Sequence, residues 1–258
     1  MTRTHSVSPS PASTSPDAPV LGLLGGMSPE STVDYYQRIN AGVRAVLGGH
    51  HSARLLIYSA DLEQVFGWMH DGDDGALAGH LVAAARHLEG AGADAVLMAC
   101  NTAHKVAPEI EAALSVPFFH IADVLGDGLR SAGHHRVGLL ASRITAEASF
   151  YRDRLERFGV EVIVPSADER EEVDRVIREE LCFHEILPAS RRRFDAIASR
   201  LRHRGADAVT LACTEIGLLV DTPELGGLPV FDTTALHAER AVEWLLGQRS
   251  GATPWKAA

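Results

Sequence analysis

An eleven-residue stretch occurs twice in this chain, and no other feature limits the possible folds as much. GADAVLMACNT at 92–102 returns as GADAVTLACTE at 205–215, with 7 of 11 positions identical and a cysteine, Cys100 or Cys213, at the same place in each copy. The offset, 213 − 100 = 113 residues, is too long for a small stacked repeat and suits a small α/β half. Two more markers keep the same order. GLLGGMSPESTVDYY at 22–36 is echoed by GLLASRITAEASFYR at 138–152, and PFFHIAD at 117–123 by PVFDTTA at 229–235. A duplicated fold with one thiol per half follows.

With 258 residues, 46% of them hydrophobic, the chain can fill two small cores. The 34 acidic and 24 basic side chains leave a net charge of −10, no footprint for nucleic acid or anionic lipid, so small molecules or proteins are the expected partners. No apolar run reaches the roughly 18 residues of a membrane span, and residues 1–19 lack the apolar centre of a secretory signal. A soluble cytoplasmic protein is expected. The opening MTRTHSVSPSPASTSPDAP is Ser, Thr or Pro at 12 of 19 positions and reads as a disordered extension. An odd cysteine count argues against a disulfide framework. Cys182, in the helical pattern VDRVIREELCFHEIL, reads as a buried structural thiol.

Strand and helix patterns alternate. Val20–Leu24 is a short apolar run ending in Gly25-Gly26, after which Ser28 and Pro29 read as N-cap and first residue of a helix to about Arg44. Arg54–Tyr58 is a second strand, 76–88 a helix, and Asp94–Ala99 a strand that stops at Cys100. A helix over 103–114 and a strand over 116–120 follow. The alternation restarts with strands at 136–140 and 161–164, helices at 146–158, 171–183 and 190–204, and a strand at 207–211 before Cys213. Such alternation implies mostly parallel sheets flanked by helices, joined by right-handed crossovers. Residues 229–232 and the helix 234–246 are expected to return to the first half. The reading is thus two pseudo-symmetric lobes, 20–121 plus 222–258 and 122–221, with a cleft between them.

Ligands of parallel α/β sheets gather at the carboxyl ends of strands, where both cysteines sit. Backbone N–H groups there favour anions and are expected to lower a thiol's pKa. Asn101-Thr102 and Thr214-Glu215, which follow the thiols, can hydrogen-bond a small zwitterion. One thiol on each side of a bound carbon is the layout for inverting a stereocentre, one removing a proton and the other delivering one. Stabilising the carbanionic transition state then falls to fixed dipoles and tight positioning.

GGMSPEST, MACNTAH, LACTEIGLLV and PVFDTTALHAE together closely resemble the cofactor-independent aspartate/glutamate racemase family, in particular its broad-specificity branch, over about residues 20–247. The resemblance implies a two-lobed fold, catalysis by Cys100 and Cys213, and neither pyridoxal phosphate nor metal. It also implies substrate contacts from Gly26, Met27, Ser28, Asn101, Thr102, Ser142, Thr214 and Glu215, and work by Cys213 on the L face. Some relatives carry threonine in place of Cys100. Both thiols are present here, which implies action in both directions. Acid-specific members carry a lysine where this chain has Glu171 and Glu172, and Met69 falls where a relative makes a polar contact. Arg170 is the nearby cation. An acidic substrate would be repelled by Glu171 unless Arg170 turned inward, so neutral or basic amino acids are candidates.

Other readings remain open. GLLGG does not match the dinucleotide fingerprint, so no nicotinamide or flavin is expected. His104 and His237 either orient polar groups at the cleft or are satisfied helix positions, and His50-His51 lacks a third metal ligand. Glu215 either tunes Cys213 or is a helix-start carboxylate. Competing functions are a one-cysteine decarboxylase or isomerase of the same superfamily, and a non-catalytic amino-acid-binding or redox-sensing protein. A homodimer is the default assembly.

Overall fold

The computed structural model describes residues 18–250. Most of the expected disordered extension lies outside them; at its inner end Ala18 is already buried, and its carbonyl accepts from the Arg54 guanidinium. The chain runs β1 (Val20–Gly25), α1 (Pro29–Leu47), β2 (Arg54–Ser59), α2 (Leu62–Asp71), α3 (Asp74–Gly90), β3 (Ala95–Met98), a 3-10 turn (Thr102–Val106), α4 (Ala107–Ala113), β4 (Phe118–Phe119) and α5 (Ile121–Ser131). It continues through β5 (Arg136–Ala141), α6 (Arg143–Glu147), α7 (Ser149–Glu156), β6 (Glu161–Ile163), α8 (Ala167–Glu179), a second 3-10 turn (Leu181–Phe183) and α9 (Pro188–His203). The last elements are β7 (Ala208–Ala212), α10 (Ile216–Leu219), β8 (Glu224–Leu225), β9 (Leu228–Asp232) and α11 (Thr233–Ser250). Among the described residues no helix is long and apolar enough to cross a membrane.

The strands form two sheets. The first has the order β2-β1-β3-β4 and is parallel throughout; the second has the order β6-β5-β7-β9-β8, parallel except for the β8–β9 pair. The central strands β3 and β7 are buried along their whole length, as strands covered on both faces must be, which is why they read as unbroken apolar runs. Local chemistry sets the helix starts. Ser28 accepts from Ser31 N at the N-cap of α1 with Pro29 at the first helical position, and Ser166 with Glu169 forms a capping box on α8. The helix expected over 103–114 breaks because Pro108 has no N–H to continue it, leaving a 3-10 turn and then α4. Along α1, Tyr35, Ile39 and Val43 recur every four residues and carry its core face.

One expectation is corrected. Residues 229–232 do not return to the first half: β9 pairs with β7, as β4 pairs with β3, so each half keeps its own fourth strand. What crosses over are the helices after those strands. From α5, Ile121, Leu125 and Leu129 join the core around Val137, Leu139 and Tyr151 of the second half. From α11, Ala238, Ala241 and Trp244 join the core around Leu23, Ile39 and Leu97 of the first. This reciprocal exchange puts the carboxyl edges of both sheets beside one seam.

Candidate active site

Each thiol leaves its sheet at the end of the central strand, Cys100 just past β3 and Cys213 just past β7. The residue two places beyond each one crosses the seam. Thr102 hydrogen-bonds Ser142 (2.8 Å) and Thr145 (2.9 Å) at the start of α6. Glu215 accepts from Ser28 (2.7 Å) and Ser31 (2.8 Å) at the start of α1. Ser28 and Ser142 are both N-caps, and Ser31 and Thr145 both stand three residues further on. The two halves therefore repeat one device, a strand-end turn bonded to the opposite half's helix start. Repetition is imperfect in one respect, since Thr102 is neutral where Glu215 is a carboxylate.

Glu215 is only 4% exposed and gathers more than the two serines. Cys213 donates its S–H to Oε2 at 2.9 Å, and Thr214 donates its hydroxyl to the same oxygen at 2.9 Å. Ser31 also lies 2.7 Å from Thr214 Oγ1, so its single proton serves one of two acceptors. Asn101 is committed on both sides of its amide, accepting from Tyr151 at 2.9 Å and donating to Thr233 at 3.0 Å. Its side chain fixes the Cys100 turn against the second half.

The thiols are not activated as the sequence suggested. Burial pushes Cys100 up to about 12, and Glu215 adds to this, against the lowering effect of the Ala103 and Thr102 N–H groups. Cys213 is raised well above an ordinary thiol, first by burial and then by the adjacent Glu215 carboxylate. The helix starts behind them are a 3-10 turn and a four-residue helix, too short for a dipole that would outweigh burial. Cys182, expected to be an inert helical thiol, instead lies in the 3-10 turn Leu181–Phe183 and packs with Cys213 on one cluster. Its pKa is also pushed to about 12, by burial and then by the charges of Glu215 and Glu30.

The remaining residues singled out from sequence divide clearly. Gly26 gives its N–H to Thr32 at 2.8 Å, and its φ of +82° and the 2.2 Å separation of a hypothetical Cβ from Ala60 O make it a packing glycine. Gly26→Ala is expected to cost about 1–3 kcal/mol from backbone strain alone, seen as a lowered urea midpoint. Met27 and Met69 share an apolar cluster with Cys100, with Ile144 of the second half packed against it. Arg170 turns to Glu147 and to the Pro165 carbonyl, away from any role as a free cation. Glu171 is exposed, while Glu172 is gripped by Arg175 at 3.0 Å and by Arg193, which hold its carboxyl low. The repulsion argued from these two acids therefore loses its footing.

His104 and His237 are buried and saturated. Ile121 N–H donates to His104 Nε2 (3.2 Å), so its Nδ1 carries the proton and donates to the Cys100 carbonyl (2.7 Å). His237 Nε2 donates to the Phe119 carbonyl and its Nδ1 accepts from Tyr35, both at 2.9 Å. His120 caps α5 by accepting from Ala122 N at 3.1 Å. Ser31, Thr145, Tyr151 and Thr233 belong to the site but were missed. For Ser31 and Thr145 the available signal was their position three residues past each N-cap. Glu30 was missed as well, its Oε2 buried without a hydrogen-bond partner. Among the described residues no group of three or more His, Cys, Asp or Glu side chains could hold a metal ion.

Similarity to known proteins agrees with this arrangement. The Asp/Glu/hydantoin racemase family profile matches residues 24–241. A broad specificity amino-acid racemase of Bacillus subtilis (strain 168), RacX, is 25% identical over 240 residues, 90% of this chain and 100% of that one. Among solved structures, a Yersinia pestis protein assigned to the Asp/Glu racemases is 44% identical with a TM-score of 0.82, covering 88% of this chain and 99% of its own. An aspartate racemase homologue from Pyrococcus horikoshii OT3 is 32% identical with a TM-score of 0.73, covering 89% and 98%. With its duplicated halves, its thiols at equivalent strand ends and a family match across most of its length, the chain belongs to the Asp/Glu/hydantoin racemase family and is an isomerase of the racemase type.

Proposed function

We propose that the chain interconverts L- and D-amino acids by moving the α-proton between Cys100 and Cys213, with neither pyridoxal phosphate nor a metal. The observation that carries the reading is the repeated device at the seam: two thiols at equivalent strand ends, each beside a turn bonded to the other half. Thr102, Ser142, Thr214 and Ser28, with the backbone N–H groups behind the thiols, hold the zwitterion by replacing the bonds they now make to one another. That polar frame stabilises the carbanionic transition state in a site shielded from water.

Charge supports neutral or basic substrates. Glu215 puts negative charge near Cys100 and Cys213, and Glu30 puts it near Cys182, whereas Lys105 and Arg170 are already paired with Asp74 and Glu147. The apolar Met27–Met69 wall beside Cys100 suits an aliphatic stem, and the Bacillus subtilis relative is named for broad specificity. Three free thiols suit a reducing cytoplasm, and a homodimer is the simplest assembly, checked by light scattering.

The test is proton NMR in D₂O with acidic, neutral and basic L- and D-amino acids, after dialysis against chelator and with no added cofactor. Loss of α-proton signals from both enantiomers of a neutral or basic amino acid is expected. No exchange with any of them would overturn the reading.

A further inference from the structure

We propose that Glu215 makes the two thiols unequal: Cys213 rests as the proton donor, and Cys100 is the thiol that ionises first. The proposal rests on the two-cysteine reading and adds an order to it.

The geometry is specific. Both strand-end turns bond across the seam to the opposite half's helix start, yet the crossing residue is a hydroxyl beside Cys100 and a carboxylate beside Cys213. A carboxylate only accepts, so Cys213 must keep its proton to make its 2.9 Å bond to Glu215. Ionising Cys213 would put sulfur and carboxylate charges in contact in a site shielded from water, where such repulsion is strongest. The sulfur of Cys100 receives the backbone N–H groups of Ala103 and Thr102, which favour the thiolate, and feels Glu215 through its charge alone; Cys213 also receives a backbone N–H, from Glu215, but there the carboxylate is in direct hydrogen-bond contact. The charged group in contact with Cys213 is Glu215. The groups that act there are the Glu215 carboxylate and Cys182, opposed by the Glu215 backbone N–H; Cys182 in turn feels Glu215, Glu30, Cys100 and, with opposite sign, Arg178, whose guanidinium is paired with Asp174.

Protons balance in this scheme. Cys100 thiolate takes the α-proton as the C–H bond breaks, and the electron pair stays on the α-carbon. Cys213 S–H gives its proton to the opposite face, leaving Cys100 as thiol and Cys213 as thiolate against Glu215. That form is the strained one, and proton exchange with water resets it. Enantiomers have equal free energies, so kcat/KM is the same in both directions whatever the asymmetry, and the asymmetry has to be read from the thiols themselves.

The experiment alkylates the whole enzyme with iodoacetamide across the alkaline range and follows each cysteine by peptide mass spectrometry. Comparing pH midpoints rather than rates removes the difference in exposure. Cys100 is expected to titrate below Cys213 in the native protein. Glu215→Gln should lower the Cys213 midpoint by at least about one pH unit, the shift due to removing an adjacent charge, while Glu215→Asp keeps the native order. A native Cys213 that titrates first, or a midpoint unmoved in folded Glu215→Gln, would overturn the proposal. The native order alone decides if Glu215→Gln does not fold. Because alkylation reads the thiols and not turnover, loss of the racemase reading would appear separately, in the exchange experiment.

Discussion

Cys100→Ser and Cys213→Ser are each expected to lower racemisation by about 10²–10⁴-fold, the usual contribution of one positioned acid or base. Serine keeps the size and nearly the shape, so folding is unaffected, but its hydroxyl is far too weak an acid to supply a base. The loss should be one-sided. Cys213→Ser retains a base on the Cys100 face and continues to exchange the α-proton of one enantiomer with solvent without inverting it. Cys100→Ser does the same for the other. NMR in D₂O reads exchange and polarimetry on the same samples reads inversion, since inversion changes optical activity and exchange alone does not. Native rates in either variant would remove the two-thiol mechanism.

Acid should unfold this protein at a milder pH than its carboxylates alone would predict. His104 is held neutral down to about 3 and His237 down to about 4, by burial first in each case, and His120 is also lowered by burial. Their rings lie in one buried group, His104 and His120 with centroids 4.5 Å apart. In the unfolded chain a histidine takes up its proton near 6.5. Below that pH the unfolded state binds more protons than the folded one, so stability is complete above about 6.5 and falls as pH falls toward the folded values. His104 and His237 each cost about 2 kcal/mol between pH 7.5 and 5, together about 4 kcal/mol of a typical 5–15 kcal/mol, and His120 acts in the same direction. Urea midpoints at the two pH values check this, and His237→Gln should flatten the dependence. Equal midpoints would contradict it.

The parallel sheets, the strand-end thiols and the α1 cap were legible because each rests on local chemistry: β-branched and leucine-rich runs, a duplicated word, and Ser28 before Pro29. Helix α5 was not. Gly126 and Gly128 look like breakers, yet at Gly126 an added Cβ would come within 2.5 Å of the Phe158 ring, so the glycine exists for a contact far along the chain. The fourth strand of the second half was assigned to the first for a related reason. Sequence order shows that a helix follows β9, but not that strand and helix pack in different halves. Thiol acidity failed too, because a residue pattern displays the helix start and hides the burial that outweighs it. The hydroxyls of Ser31 and Thr145 carry no signal until the two turns are brought together.

The exchange of α5 and α11 has a consequence for how this chain could change over time. Each half hands its last helix to the other, as subunits do in a swapped pair, so the molecule has the form of two identical subunits fused end to end. In an unfused pair every substitution would strike both faces of the bound carbon at once. Fusion frees each face to mutate alone, and the chain holds a threonine at position 102 where its second half holds a glutamate at position 215.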